Sequence, residues 1–435
     1  MRADLIFLIQ VLVILVLPVA AWRVLRLRPV MPLVVVQILV GIALGPTLLG
    51  RVAPEFYRLF FNSATLTPLS GVASLAVTLF GFITGLHLDP QTFSGRGRSF
   101  AVVASGSVIV PTVAGFLAGL WIAVRHPAEL GEWVGLAAFA MAIGVSCGVT
   151  ALPVLGAILR EMNLMGRRIG DLALGIAAIN DVALWMFLAL LIASLAGEAP
   201  DSPGVLVILL GLPVYLVMVR AVRPWLKRIA TTLLTDGRLT ERALAAACAV
   251  AFGSAIMTQT IGLHYIFGAF MAGALMPDEL RRPILDRLEV VVIGLLMPFF
   301  FILTGLRTLI DFNSAGFLEI FVVTTALAVF GKIGGTALAA RLMGDPWPIA
   351  LGLGGLVQTK GLMELIVLTI LLERGIISAN MFSALILMAV VSTMLAMPVT
   401  RLVLRQKGRV TTVGTQPGAL CRRQPKRPSN MRGLE

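Results

Sequence analysis

The chain alternates long apolar runs with short polar connections. Thirteen runs stand out, at about 4–21, 31–49, 69–86, 100–123, 134–159, 171–196, 204–222, 241–258, 262–276, 288–306, 315–340, 346–372 and 381–403. Most approach or exceed the roughly 18–20 residues that cross a bilayer as a helix. They are too long and too continuously apolar for the alternating strands of an outer-membrane barrel. The pattern predicts an all-α polytopic membrane protein of about thirteen transmembrane helices. The opening run, LIFLIQVLVILVLPVAA, has the length and small-residue end of a signal peptide, but Trp22, Arg23, Arg26 and Arg28 follow at once. That flank stops transfer, so the first run is expected to remain as a helix. The longest connection, RPWLKRIATTLLTDGRLTER, reads as a short amphipathic interfacial stretch rather than a soluble domain.

Two runs are interrupted. The fifth, MAIGVSCGVTALPVLGAIL, places Gly144, Ser146, Gly148, Thr150 and Pro153 at mid-membrane depth. Glycine and proline there weaken a helix. The twelfth, PIALGLGGLVQTKGLMELIVLTILL, does the same with Gly352, Gly354, Gly355, Gln358, Thr359, Lys360 and Gly361. If runs one to six and eight to thirteen are two repeats, each break lies in the fifth helix of its repeat. A single linking helix then gives the repeats opposite orientations. Interrupted segments at matching positions of inverted repeats mark an ion site near the midplane in secondary transporters. Close helix packing is the plain alternative for one glycine-rich span. Two matching breaks, each with polar residues, favour the site.

Four ionisable residues lie deep in the runs: Asp181, Lys332, Lys360 and Glu364. Such groups face the bundle interior or a water-filled cavity. Asp181 is about ten residues into its run, roughly 15 Å along the axis and near the midplane. A lone carboxyl there can hold either a proton or a hard alkali cation. Asn180, Thr150 and Ser146 are candidate helpers. If the site crosses only when loaded, the result is an exchanger. A permanent ion pair that fixes packing is the structural alternative. Lys332, flanked by Gly331, Gly334 and Gly335, is the natural basic partner or competitor. Lys360 and Glu364 are spaced i, i+4 and can pair on one helix face. Lys360 can also offset carbonyls ending the half-helix before it.

Charge adds an orientation. The chain of 435 residues is 58% hydrophobic and 13% charged, with a net charge of +13. With the N-terminus outside, 27 of the 35 lysines and arginines fall in cytoplasmic connections and the C-terminal tail. The positive-inside rule therefore predicts an outer N-terminus and a cytoplasmic C-terminus. The basic excess is explained this way, without nucleic acid. Cys147, Cys248 and Cys421 suggest no disulfide framework, and His87, His126 and His264 have no metal-ligand spacing. No cofactor or transition metal is expected. The absence of a nucleophile–base pair argues against an enzyme. Residues 404–435 are basic, rich in Gly and Pro, and expected to be a disordered tail near anionic headgroups.

Six segments together are specific: TALPVLGAILREMNL, RRIGDLALGIAAINDVALW, FGAFMAGALMP, LTGLRT, GKIGGTALAARL and QTKGLMELIVL. With these, residues 1–403 resemble the monovalent cation:proton antiporters of the CPA2 branch, which include Kef-type proteins and plant CHX exchangers. The resemblance implies the sodium/proton antiporter fold with crossing broken helices, commonly a homodimer in the inner or plasma membrane. It implies a panel (about 1–99 and 241–306) and a core (about 100–196 and 315–403) that shifts like an elevator while K+ or Na+ exchanges for H+. It assigns ion binding to Asp181, the first break to Thr150 and Pro153, and a conserved basic role to Lys332. Two departures matter. Asn180-Asp181 stands where electrogenic members carry Asp-Asp, so one-for-one, electroneutral exchange is expected. No Kef-type nucleotide-binding domain is recognisable, so ligand gating of that kind is not expected. A channel-like K+ efflux protein and a non-transporting sensor on the same fold are the rival readings.

Overall fold

The computed structural model describes residues 3–27, 31–87, 98–165, 167–195, 205–235, 238–312, 314 and 316–405. Each expected run is represented there by a helix or a pair of half-helices. The first half of the chain contains α1 (Ala3–Val24), α2 (Leu33–Leu44), α3 (Leu49–Val52), α4 (Pro54–Phe60), α5 (Ser63–Leu86) and α6 (Arg98–Arg125). The first broken helix follows as α7 (Leu136–Gly148) and α8 (Leu152–Glu161), then α9 (Arg168–Ser194). The linking helix is α10 (Val205–Leu233). The second half contains α11 (Glu241–Thr260), α12 (Tyr265–Ala274), α13 (Asp278–Val291), α14 (Met297–Arg307) and α15 (Phe317–Leu342). The second broken helix is α16 (Trp347–Val357) and α17 (Leu362–Glu373), and α18 (Ala379–Arg405) ends the described chain.

Two boundaries differ from the hydropathy reading. The linking helix does not end near residue 222 but continues to Leu233, with Pro213 and Pro224 inside it. Strands Leu234–Thr235 and Arg238–Leu239 then pair antiparallel. The tenth run begins ten residues early, because amphipathic α13 continues through a π-helical segment, Val292–Leu296, into α14. The charged residues of α13, DELRRPILDRLEVV, keep it out of a continuous apolar run. Of the expected tail, residues 406–435 lie outside the described residues.

The helices pack in two groups. One contains α1, α2, α5, α11, α12 and α14; the other contains α6, α7, α9, α15, α16 and α18. Glycines set the closest approaches. A Cβ on Gly85 of α5 would lie 2.0 Å from the Phe270 carbonyl oxygen, and one on Gly273 of α12 would lie 2.1 Å from that of Phe82. In the other group, Gly335 of α15 packs on Gly106 of α6, where an added Cβ would come within 2.6 Å of backbone oxygen. Gly331 faces Pro111, whereas Gly334 faces open space and takes no part in the approach. Leu8, Leu12 and Val16 of α1, Leu190 of α9 and Phe330 of α15 are exposed. Such apolar surface is suited to lipid.

Candidate ion-binding site

The two breaks cross and bond to each other. After Gly148 the chain leaves the helix with Val149 extended, and Ala151 is also extended before α8. Pro153 falls in the first turn of α8, where a missing N–H costs least. In the second break, Gly361 has φ +123°, a conformation that side-chain-bearing residues rarely adopt. The Ala151 amide donates to the Thr359 carbonyl at 2.8 Å, and the Thr150 hydroxyl donates to the Val357 carbonyl at 2.9 Å. Gly355 of α16 packs against Thr400 of α18, where an added Cβ would lie 2.7 Å from the Thr400 hydroxyl oxygen. Each break thus satisfies backbone groups that the other leaves without helical partners.

Two lysines cover the C-terminal end of α7. Lys332 donates to the Gly148 carbonyl; Lys360 donates to those of Ser146 and Cys147 at 2.7 and 3.1 Å. Helix C-termini carry partial negative charge, so two ammonium groups are favoured there. The carbonyls that Lys360 meets belong to the other broken helix, not to the half-helix preceding it in sequence. Lys360 also pairs with Glu364 at 3.2 Å, with both side chains fully buried. That pair forms across the break, since α17 begins only at Leu362.

Asp181 of α9 is fully buried, and neither of its carboxyl oxygens has a hydrogen-bond partner among the described residues. Its neighbour Asn180 is held from several sides. Its carboxamide oxygen accepts from Lys332 Nζ at 3.1 Å. Its nitrogen donates to the Ile176 carbonyl at 3.2 Å and to the Ser107 hydroxyl at 3.1 Å. This orientation gives the ammonium an acceptor rather than a second donor. Lys332 lies within electrostatic reach of Asp181. No ion pair within 4 Å joins them among the described residues. The Ser146 hydroxyl donates to Ala142 in its own helix at 2.9 Å.

Asp181, Asn180, Thr150, Lys332 and the break at Gly148 therefore form one neighbourhood. Lys360 and Glu364 join it through the carbonyl end of α7. Ser107, which donates to the Ala104 carbonyl at 2.7 Å, escaped the sequence reading. So did Trp185, one turn beyond Asp181, whose ring lies 5.6 Å from Phe270 and 6.3 Å from Phe267 of α12. A single serine in an apolar run and a tryptophan in a membrane helix are ordinary letters. An orphan buried acceptor beside crossing breaks is chemically suited to a proton or a desolvated cation.

Residues 11–406 match the family described as sodium/hydrogen exchanger, transmembrane. The chain belongs to that family. It is 35% identical over 378 residues to Cation/H(+) antiporter 17 of Arabidopsis thaliana, covering 86% of this chain and 45% of that relative. It is 32% identical to K(+)/H(+) antiporter 1 of Saccharomyces cerevisiae, covering 86% of this chain and 43% of the relative. The chain thus spans about half the length of the plant and yeast relatives that it matches. The Na(+)/H(+) antiporter NhaS4 of Synechocystis is 30% identical, with 84% of this chain and 90% of that one covered. The sodium proton antiporter MjNhaP1 of Methanocaldococcus jannaschii superposes with a TM-score of 0.59 over 93% of this chain and 99% of the other, at 12% identity. The exchanger-family fold is therefore shared, with two inverted halves and broken helices that cross.

Proposed function

We propose that this chain exchanges a monovalent cation, K+ or Na+, for H+ across the membrane, with Asp181 binding the two ions alternately. The observation that carries the reading is the fully buried, unpartnered Asp181 carboxylate beside the crossing breaks. Matched relatives bear the names of cation/H(+), K(+)/H(+) and Na(+)/H(+) antiporters. Protonated, the site is neutral; ionised, it takes one cation in the proton's place. Asn180 and Thr150 supply neutral oxygen beside it, and Lys332 opposes occupancy of the carboxylate side by a second cation. With one titrating carboxylate in the cycle, exchange is one-for-one and electroneutral. The group containing α6, α7, α9, α15, α16 and α18 acts as the moving core against the other group, the panel. The arginine-poor face, which includes Arg307 and Arg374, is the outer one, and the chain works as a homodimer in the inner or plasma membrane.

The test uses purified protein in liposomes with an internal pH dye and an imposed pH gradient. Addition of K+ or Na+ dissipates the gradient with wild type. It does not with Asp181→Asn, which keeps the same elution volume and thermal unfolding midpoint. A potential clamp does not accelerate the wild-type signal. Current that scales with voltage points instead to a channel. Folded protein without any cation-dependent proton movement points to a sensor.

A further inference from the structure

A cleft lies between the two helix groups on the arginine-poor face, lined by Ser70 of α5, Tyr265 of α12, Thr304 and Arg307 of α14, and Thr369 and Glu373 of α17. The centre of a water-sized sphere can reach about 60 Å³ of it. One water needs roughly 10–15 Å³ by that measure, so a partly hydrated alkali cation fits. Three of its hydroxyls spend their hydrogens inside their own helices. Ser70 donates to the Thr67 carbonyl at 2.7 Å, Thr304 to Phe300 at 2.8 Å, and Thr369 to Leu365 at 2.8 Å. What these groups have left to offer is lone pairs, the chemistry a hard cation needs. The Glu373 carboxylate adds the charge, and its partner is Arg307 at 3.1 Å, with both side chains about half exposed. Ile266 and Ile366 also line the cleft. Next to Ile266 in α12 is Phe267, and the rings of Phe267 and Phe270 meet that of Trp185, one turn beyond Asp181.

We infer that this cleft is a second, transient cation site, where a hydrated monovalent cation waits at Glu373 before reaching Asp181, and that Arg307 competes with it for that carboxylate. The aromatic contact of Trp185 with α12 separates the two stations in this conformation. The inference rests on the exchange reading and gives one face of the transporter a residue that sets apparent cation affinity. A cation about 4 Å from an exposed carboxylate gains a factor of roughly five in occupancy.

The signs of two substitutions separate this role from a simple tie between the helix groups. Breaking a tie from either side has the same effect. At a cation site the two sides oppose each other. The experiment titrates K+ and Na+ against proton movement in right-side-out and inverted vesicles. With cation presented to the arginine-poor face, Glu373→Gln raises the KM about fivefold with a smaller change in kcat. Arg307→Gln lowers the KM, and Glu373→Asp stays close to wild type. Presentation to the opposite face leaves the KM of all three near wild type. Shifts of the same sign in Glu373→Gln and Arg307→Gln, or no shift in either, overturn the inference while leaving exchange at Asp181 standing. Absence of exchange from the wild type removes the exchange reading and this site with it.

Discussion

At the scale of the residue, Asn180 and Asp181 divide the work between a held group and a free one. Asn180 is bonded on both ends of its carboxamide; Asp181 has no hydrogen-bond partner among the described residues. Replacing Asn180 by Asp puts a carboxylate where the amide oxygen now lies 3.1 Å from Lys332 Nζ. A charged pair at that distance inside the bundle couples the lysine to the transport cycle. Asn180→Asp is therefore expected to convert electroneutral exchange to electrogenic exchange. Valinomycin-clamped liposomes should then run faster than unclamped ones, which wild-type liposomes should not do. Unchanged clamp sensitivity would place Lys332 outside the cycle. Much of this neighbourhood was legible in the letters, because an ionisable residue in an apolar run is rare and costly. Asp181 and Lys332 announced themselves so, Asn180 by its place beside Asp181, and Thr150 by the break that contains it. Ser107 did not, since its meaning comes only from Asn180, 73 positions away in sequence.

At the scale of the element, glycine has two uses here, and the sequence does not distinguish them. Gly148, Gly355 and Gly361 lie at or beside the breaks, and Gly361 is at φ +123°. Gly85, Gly273 and Gly41 sit inside unbroken helices, where a neighbouring backbone leaves no room for Cβ. Gly334 and Gly71 also sit inside helices, but nothing lies within 4 Å of their missing Cβ. Two classes of substitution are thus expected. Gly273→Ala forces α12 away from α5 and costs about 1–3 kcal/mol, seen as a lowered thermal unfolding midpoint in detergent. Gly71→Ala and Gly334→Ala have no such contact to break and gain up to about 1 kcal/mol of helix propensity. Equal effects of Gly273→Ala and Gly71→Ala on the midpoint would contradict the packing described. The breaks themselves were legible because Gly, Pro and polar residues coincide at matching positions. The partner of Lys360 was not, because which break crosses which is a property of the pair. Nor was the π-helical segment at Val292–Leu296, whose residues are uniformly apolar or small.

At the scale of the whole molecule, the division into two bodies is invisible in composition and was suggested only by family resemblance. The helices of one packing group come from residues 3–86 and 241–307, and those of the other, proposed as the moving core, from 98–194 and 317–405. No local pattern marks which helix joins which body. Among the described residues, contacts between the bodies include the rings of Trp185, Phe267 and Phe270, the Arg307–Glu373 pair, Arg374 donating to the Gly262 carbonyl at 3.4 Å, the Leu309 amide donating to the Ser383 hydroxyl at 3.1 Å, and the packing of α2 on α18. Within the proposed core group, His126, just after α6, meets Glu319 of α15 at 3.0 Å. The Arg307–Glu373 and His126–Glu319 contacts have similar length but different mechanical meaning. If the core slides against the panel, a covalent bridge at the first pair stops the cycle, and one at the second travels with the core. The measurement starts from protein lacking Cys147, Cys248 and Cys421 and uses a short, reducible bis-methanethiosulfonate linker. Bridging Arg307→Cys to Glu373→Cys should abolish exchange, with recovery on reduction. Bridging His126→Cys to Glu319→Cys should leave most of it. Full exchange through a quantitatively bridged 307–373 pair would mean that the two bodies keep this contact throughout transport. Access to Asp181 would then change by local rearrangement at Trp185 and the breaks, rather than by displacement of the core.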